Sequence, residues 1–410
     1  MDLIERIRQR AHAIHPKVVE LRRDFHQHPE LAFEEHRTAC KVAEFLQQQL
    51  GLQQVSTGVA QTGVVAEITG DPNGPVIALR GDMDALPIKE ANQVAYKSKN
   101  EGKMHACGHD VHTSSLLGTA LILNELKEHL PGTIQLVFQP SEEKLPGGAS
   151  VMVKENIFQN GRTRSIIGQH VMPVLECGKI GIRAGKYMAS ADEIYLTVRG
   201  KGGHAAQPHT TLDPVVMASQ MIVSLQTVVS RTVDPRVPAV LSFGDLHASG
   251  ATNIIPEEVH IQGTFRTFDE DWRFKAHEQI KNVAKGVVEG MGGSVDVDIR
   301  VGYPVLFNEP ELTAGVRQAM EAYMGPENIV ELDLWPAAED FAYYTHEIPG
   351  CFYRLGTANA AKGITHGLHT PRFNIDEEAL GISTGLMAWL ALQELERQKH
   401  LMGTSDKAVA

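Results

Sequence analysis

The stretch "MHACGHDVHTSSLLG" (104–118) places His105, Cys107, His109 and His112 just ahead of an apolar run. Cys107 and His109 flank Gly108, which allows a turn tight enough for side chains at i and i+2 to face one centre. On a regular helix the same pair would point about 200° apart. A thiolate beside an imidazole suits a borderline-soft divalent ion such as zinc. The plain alternative, a buried thiol and a histidine that starts a helix, stays open on spacing alone. His112 lies three residues into the helix and reads as structural or as support for a ligand; His105 is ambiguous.

Other segments supply compatible chemistry. "RGDMDALP" carries Asp82 and Asp84, "FQPSEE" carries Glu142 and Glu143, and "SIIGQ" ends on His170. Adjacent side chains in extended backbone diverge, so Glu142 and Glu143 suit a division of labour in which one holds a cation and the other moves a proton. A solvated turn would give the same letters. "THGLHTPRFNIDE" adds His366 and His369 in a Gly- and Pro-bearing loop, a weak sign by itself. "RRDFHQHPELAFEEH" is rich in His26, His28, Glu30, Glu34, Glu35 and His36, yet it reads as an exposed helix and turn with no ligand role.

Most of these residues follow strand-like runs. "PVIALRGD" (75–82), "TIQLVFQP" (133–140) and "SIIGQH" (165–170) look like buried parallel strands, with helical patterns at "SSLLGTALILNELKEHL" and "GGASVMVKEN". In open α/β sheets, sites gather beyond the carboxyl ends of strands, so four separate segments deliver Asp, Glu, Cys and His to one rim. Residues 191–301 read instead as strand, helix, strand, strand, helix, strand, with Asp213 and Pro214 starting the first helix. That is a ferredoxin-like order. The fold class is therefore α/β, with a discontinuous catalytic domain at 1–188 and 302–410 carrying an inserted βαββαβ domain at 189–301.

A chain of 410 residues has room for two or three domains at about 150 residues each. Its 38 Lys and Arg against 50 Asp and Glu give a net charge of −12, which attracts neither nucleic acid nor an anionic membrane. A small molecule is the expected partner. Four scattered cysteines make no disulfide framework, and the amphipathic N-terminus lacks the apolar core of a secretory signal, so the reading is cytoplasmic and soluble. "MGTSDKAVA" (402–410) reads as a loose tail.

The ordered motifs "RRDFHQHPEL", "RGDMDALP", "MHACGHDVH", "FQPSEE", "GQHVMP", "GKGGHAAQPH", "TNIIP", "GTFRTF", "AAEDFAYY" and "HGLHTPRFNIDE" span nearly the whole chain. Together they resemble the amidohydrolase branch of the dinuclear metallo-aminoacylase and carboxypeptidase family, the branch of hippurate hydrolase, indole-acetyl-amino-acid hydrolase and N-acetyldiaminopimelate deacetylase. The resemblance implies a zinc-peptidase-like catalytic domain with an inserted lid or dimerisation domain. It implies that Cys107, His109, Glu143, His170 and His369 hold two divalent ions, with Cys107 as the bridging candidate, and that Glu142 is the general base. His105 and His112 match positions that are not ligands. His204 and Asn253 match residues that stabilise the tetrahedral intermediate in the partner subunit's site. Arg266, which alternates away from Val259, Ile261 and Phe265, matches the arginine that grips the substrate carboxylate.

Two departures bear on the transfer. Asp82 stands where the wider family has a histidine, so it is not counted as a ligand, and Asp84 is read as orienting a ligand by hydrogen bonding. Gln169 and Met172 flank His170 where many relatives carry apolar and aromatic residues, which bears on pocket shape and acyl specificity. The implied reaction is hydrolysis of an N-acyl amino acid with zinc, manganese, cobalt or nickel in a homodimer or homotetramer. The alternatives are a metallo-carboxypeptidase or dipeptidase using the same centre, and a metal- or ligand-binding protein without catalysis. The second carboxylate at Glu142 speaks against the latter.

Overall fold

The structure, a computed structural model, describes residues 2–409, with side chains through Gly403 apart from Asn160. The chain divides into two compact units: Met1–Gly185, Phe307–Asp333 and Asp340–Ala410 form the larger, and Lys186–Leu306 with Leu334–Glu339 the smaller.

The larger unit is built on an eight-stranded sheet in the order Val55–Val59, Gly63–Thr69, Thr133–Gln139, Val76–Asp82, Thr163–Glu176, Gly350–Ala358, Ile180–Ile182, Ile329–Glu331. Its centre is parallel: Val76–Asp82 pairs in parallel with Thr133–Gln139 and Thr163–Glu176, and the latter with Gly350–Ala358. Every residue of Val76–Asp82 and Thr133–Gln139 is buried, as expected where helices cover both faces of a parallel sheet and the runs are apolar without alternation. Leu3–Gln27, His109–Glu125 and Glu378–Val409 pack on one another to form much of that cover. The last of these helices continues through the backbone of the expected tail; side chains beyond Gly403 lie outside the described residues.

One strand is longer than expected. Thr163–Glu176 passes through His170 rather than stopping there. Its pairing with Val76–Asp82 ends at Arg80 against Gly168, while pairing with Gly350–Ala358 carries on through Arg354 against His170. His170 therefore stands where the sheet is already open on one side.

In the smaller unit a four-stranded antiparallel sheet runs Ala239–Ala248, Glu258–Thr267, Asp192–Arg199, Ser294–Val301, with helices Pro214–Thr227 and Glu270–Gly290 packed on it. The chain order is the expected βαββαβ. Asp213 caps its helix by accepting from Val215 N at 2.9 Å, and Pro214 occupies the first turn, where no N–H is needed. Ile194, Leu196, Val198, Val259, Ile261 and Phe265 fill the core between sheet and helices.

Candidate metal centre

Gly108 has φ +81° and precedes the helix that begins at His109. A Cβ there would lie 2.5 Å from Val171 Cγ2, so both the backbone conformation and the close approach require glycine. The turn faces Cys107 and His109 towards His170 on the neighbouring strand. Cys107 Sγ lies 3.3 Å from His170 Nε2 and 3.3 Å from His369 Nε2, and His369 Nε2 lies 3.2 Å from Glu143 Oε1. Two groups with donor atoms all within 4.8 Å of one another share the thiol: Cys107, His109, His170, and Cys107, Glu143, His369. Glu142 joins His109 and Glu143 in a third.

His109 and His170 are each oriented by the other ring nitrogen. His109 Nδ1 donates to Asp84 Oδ1 at 3.1 Å, and its buried Nε2 makes no hydrogen bond among the described residues. His170 Nδ1 donates to Val171 O at 2.7 Å, so Nε2 presents its lone pair to Cys107. A ring anchored at one nitrogen and bare at the other is the arrangement of a metal-ligating imidazole. His369 has φ +57° and is tied down through its N–H to Ala106 O at 2.9 Å, beside the cysteine.

The field is that of a cation site. Burial, Glu143, Glu142 and Asp82 push the Cys107 thiol well up. Burial works against protonation of His109, yet Asp82 and Asp84 raise it to about 10. Burial and Arg354 push His170 well down, leaving it neutral. Divalent ions would satisfy the bare Nε2, displace the thiol proton and balance the carboxylates, so these residues fit two such ions.

Asp84 does more than orient His109. Its Oδ1 accepts from Glu142 N and its Oδ2 from Glu143 N, each at 3.0 Å, fixing the turn that carries both glutamates. Asp82 sits beside the His109 ring, its Oδ2 3.6 Å from His109 Nε2, and its hydrogen bonds go to other partners: Oδ1 accepts from His112 Nδ1 at 2.5 Å and Oδ2 from Arg80 at 2.7 Å. His112 Nε2 in turn accepts from Val171 N at 3.0 Å, next to His170. His105 is buried, neither ring nitrogen makes a hydrogen bond among the described residues, and burial takes it down to about 4.

Three expectations need correction. The His- and Glu-rich stretch before residue 37 is exposed only in part, among its His and Glu residues at Glu34 and His36 alone. His26 and Glu35 are fully buried, with His26 bonded to Asp110 and Glu90 and Glu35 to Ser141 and Thr62, because their helix and turn pack inward on the sheet's polar rim. Gln169 does not shape the pocket: alternation along the strand turns it from His170 to bond Ser383 and Tyr353 in the core. His170, as shown above, is not a strand terminus.

The smaller unit brings His204 and Asn253 together, pairing His204 with Ile254 in a short ladder and bonding Ala205 N to Asn253 O at 3.1 Å. Both side chains are exposed. Arg266 is half-buried, facing away from buried Phe265, and donates to Thr264 Oγ1 at 3.2 Å.

Residues 78–393 match the protein family described as peptidase family M20/M25/M40. An N-acetylcysteine deacetylase of Bacillus subtilis is 38% identical over 387 residues, covering 94% of this chain and 99% of the relative. An N-acyl-L-amino acid amidohydrolase of Geobacillus stearothermophilus is 43% identical over 307 residues, covering 75% and 82%. Among solved structures, a dinuclear metal-binding M20 peptidase of Bacillus subtilis superposes with a TM-score of 0.81 at 35% identity, covering 94% of this chain and 99% of that one.

Proposed function

The chain belongs to peptidase family M20/M25/M40, and from that premise we propose that it hydrolyses the amide bond of N-acyl amino acids, releasing a carboxylic acid and an amino acid. The observation that carries this is a five-residue donor set with a further carboxylate, Glu142, whose oxygen lies within 4.8 Å of donor atoms of His109 and Glu143. Cys107, His109 and His170 would hold one divalent ion, and Cys107, Glu143 and His369 the other. The thiolate favours zinc, cobalt or nickel, and the carboxylate and imidazoles also accept manganese. Bound ions supply a water of lowered pKa and polarise the amide carbonyl.

The chain's own groups do the rest. Glu142 takes the proton of the attacking water and delivers it to the departing amine. His204 and Asn253 stabilise the oxygen that gains charge, and Arg266 holds the substrate carboxylate. In this reading residues 189–301 act as lid and dimerisation domain, and His204 serves the partner subunit's site. The strand Ala239–Ala248, paired on one side only, and exposed Val216, Val223 and Leu246 favour a homodimer or a homotetramer built from it. Free cysteines, and helices none of which among the described residues could cross a membrane, favour the cytoplasm.

The test is a hydrolysis panel on metal-analysed protein: acetyl-, benzoyl- and indole-acetyl-amino acids beside dipeptides. Faster cleavage of acyl amino acids supports the proposal; preference for dipeptides favours a peptidase. No cleavage with zinc, manganese, cobalt or nickel favours a binding protein.

A further inference from the structure

Three successive N–H groups of the turn that carries the two glutamates end on carboxylates. Glu142 N and Glu143 N go to Asp84, as described, and Ser141 N goes to Glu35 Oε1 at 2.8 Å. Glu35 arrives from a different part of the chain, 106 positions away, and is fully buried. Its remaining bonds are as specific: Oε1 also accepts from Phe33 N at 3.0 Å, and Oε2 accepts from Thr62 Oγ1 at 2.5 Å.

All three partners belong to strained turns. Ser141 has φ +49° and Phe33 φ +63°, and Thr62 follows Ala60 and Gln61 at +48° and +79°. Left-handed backbone at residues with a Cβ persists only where the surroundings impose it, and such positions cluster at functional sites. Ser141 directly precedes Glu142, so its conformation sets the direction in which the Glu142 side chain leaves the backbone. The buried Glu35 acid, raised to about 7 by burial and by Asp84, sits at the one point joining these turns.

We infer that Glu35 is a positioning residue for Glu142, acting through the Ser141 N–H to hold the left-handed turn from which the general base projects. The inference rests on the reading of Glu142 as the base. Its removal should lower kcat in folded, metal-loaded enzyme and leave KM unchanged, since misplacement by about 1 Å can cost about a hundredfold.

The experiment compares Glu35→Asp, Glu35→Gln, Glu142→Ala and the double variant Glu35→Asp/Glu142→Ala. Each is measured for metal content, for kcat and KM on an N-acetyl amino acid that the unsubstituted protein cleaves, and for amide hydrogen exchange over 139–144. Aspartate is shorter by one methylene and withdraws the acceptor from Ser141. Glutamine keeps an oxygen for Ser141 and Phe33 and turns its amide nitrogen to the Thr62 hydroxyl, which can accept. We expect Glu35→Asp to lose about a hundredfold in kcat with KM and metal content unchanged and faster exchange at Ser141. Glu35→Gln should restore both rate and protection, and Glu35→Asp should add nothing in the Glu142→Ala background.

The inference is overturned if Glu35→Asp keeps full kcat while Glu142→Ala is inactive, if Glu35→Gln is as impaired as Glu35→Asp, if the two losses multiply, or if lost metal accounts for the effect. Full activity of Glu142→Ala removes the base reading itself, and this inference with it. A lower melting temperature with unchanged kcat would assign Glu35 to stability alone and also overturns it.

Discussion

The two units keep their chemistry-bearing side chains in opposite ways. In the larger, Cys107, His109, Glu142 and His170 are buried, with His109 oriented by Asp84 and the Glu142 turn held through its backbone by the same carboxylate. In the smaller, His204 and Asn253 are exposed, the first held in a two-residue ladder and the second by its carbonyl to Ala205 N, and Arg266 is only half-buried. A cation site needs its donors assembled and partly dehydrated beforehand, because desolvated carboxylates and a thiolate are costly unless a cation balances them. Groups that meet only the substrate can wait in water. Substitutions in the larger unit should therefore change metal content or the chemical step, and those in the smaller should leave metal content alone.

The largest effect expected is at Glu142. Glu142→Ala should lower kcat by about 10²- to 10⁴-fold with both ions retained, measured by steady-state kinetics beside metal analysis. Loss of metal in that variant would break the division between Glu142 and Glu143.

His204→Ala should cost about 10²- to 10³-fold in kcat, with full metal content. If His204 acts across a dimer, mixing it with Glu142→Ala protein restores part of the activity through hybrid dimers. No recovery after verified subunit exchange would place His204 outside the partner's site.

Arg266→Leu should raise KM roughly ten- to a hundredfold, the value of one charge-assisted contact, and spare kcat. Equal loss in both would sharpen the contrast differently, moving Arg266 to the transition state.

The smallest effect on turnover is expected at Asp192. This buried carboxylate accepts from Arg273 at 2.6 Å and His277 at 2.7 Å, in the smaller unit. Burial alone would raise it, but His277 and Arg273 hold it below the usual carboxylate range. Its folded pKa is thus depressed, so its stabilisation is complete above the unfolded value of about 3.9 and is lost as pH falls through the folded one. Denaturant unfolding should show Asp192→Asn to be about 3 kcal/mol less stable at neutral pH, with that deficit shrinking below about pH 4 and kcat unchanged in the folded protein. A deficit independent of pH would contradict this.

Period and punctuation made most of the fold legible. The parallel strands read as continuous apolar runs, and Asp213-Pro214 marked a helix start. Residue type and position near strand ends made Cys107, His109, Glu142 and Glu143 candidates, but spacing left a buried thiol and a solvated turn open, and only the ordered motifs of the resemblance assigned them roles. What stayed hidden depends on long-range closure. Glu35 is indistinguishable in sequence from a solvated helix-start glutamate, and only packing shows that Ser141, 106 positions away, is its partner. Gln169 shows the converse: proximity to His170 in sequence is separation in space, because alternate residues of a strand face opposite sides.

The most direct test of the central claim is a titration of metal-free protein with one divalent ion, following bound ion and N-acetyl amino acid hydrolysis together. No activity is expected without ion, then a rise that saturates at two ions per chain, and Cys107→Ser should fail to reach that stoichiometry. Full hydrolysis by ion-free protein, or two ions held undiminished by Cys107→Ser, would contradict it.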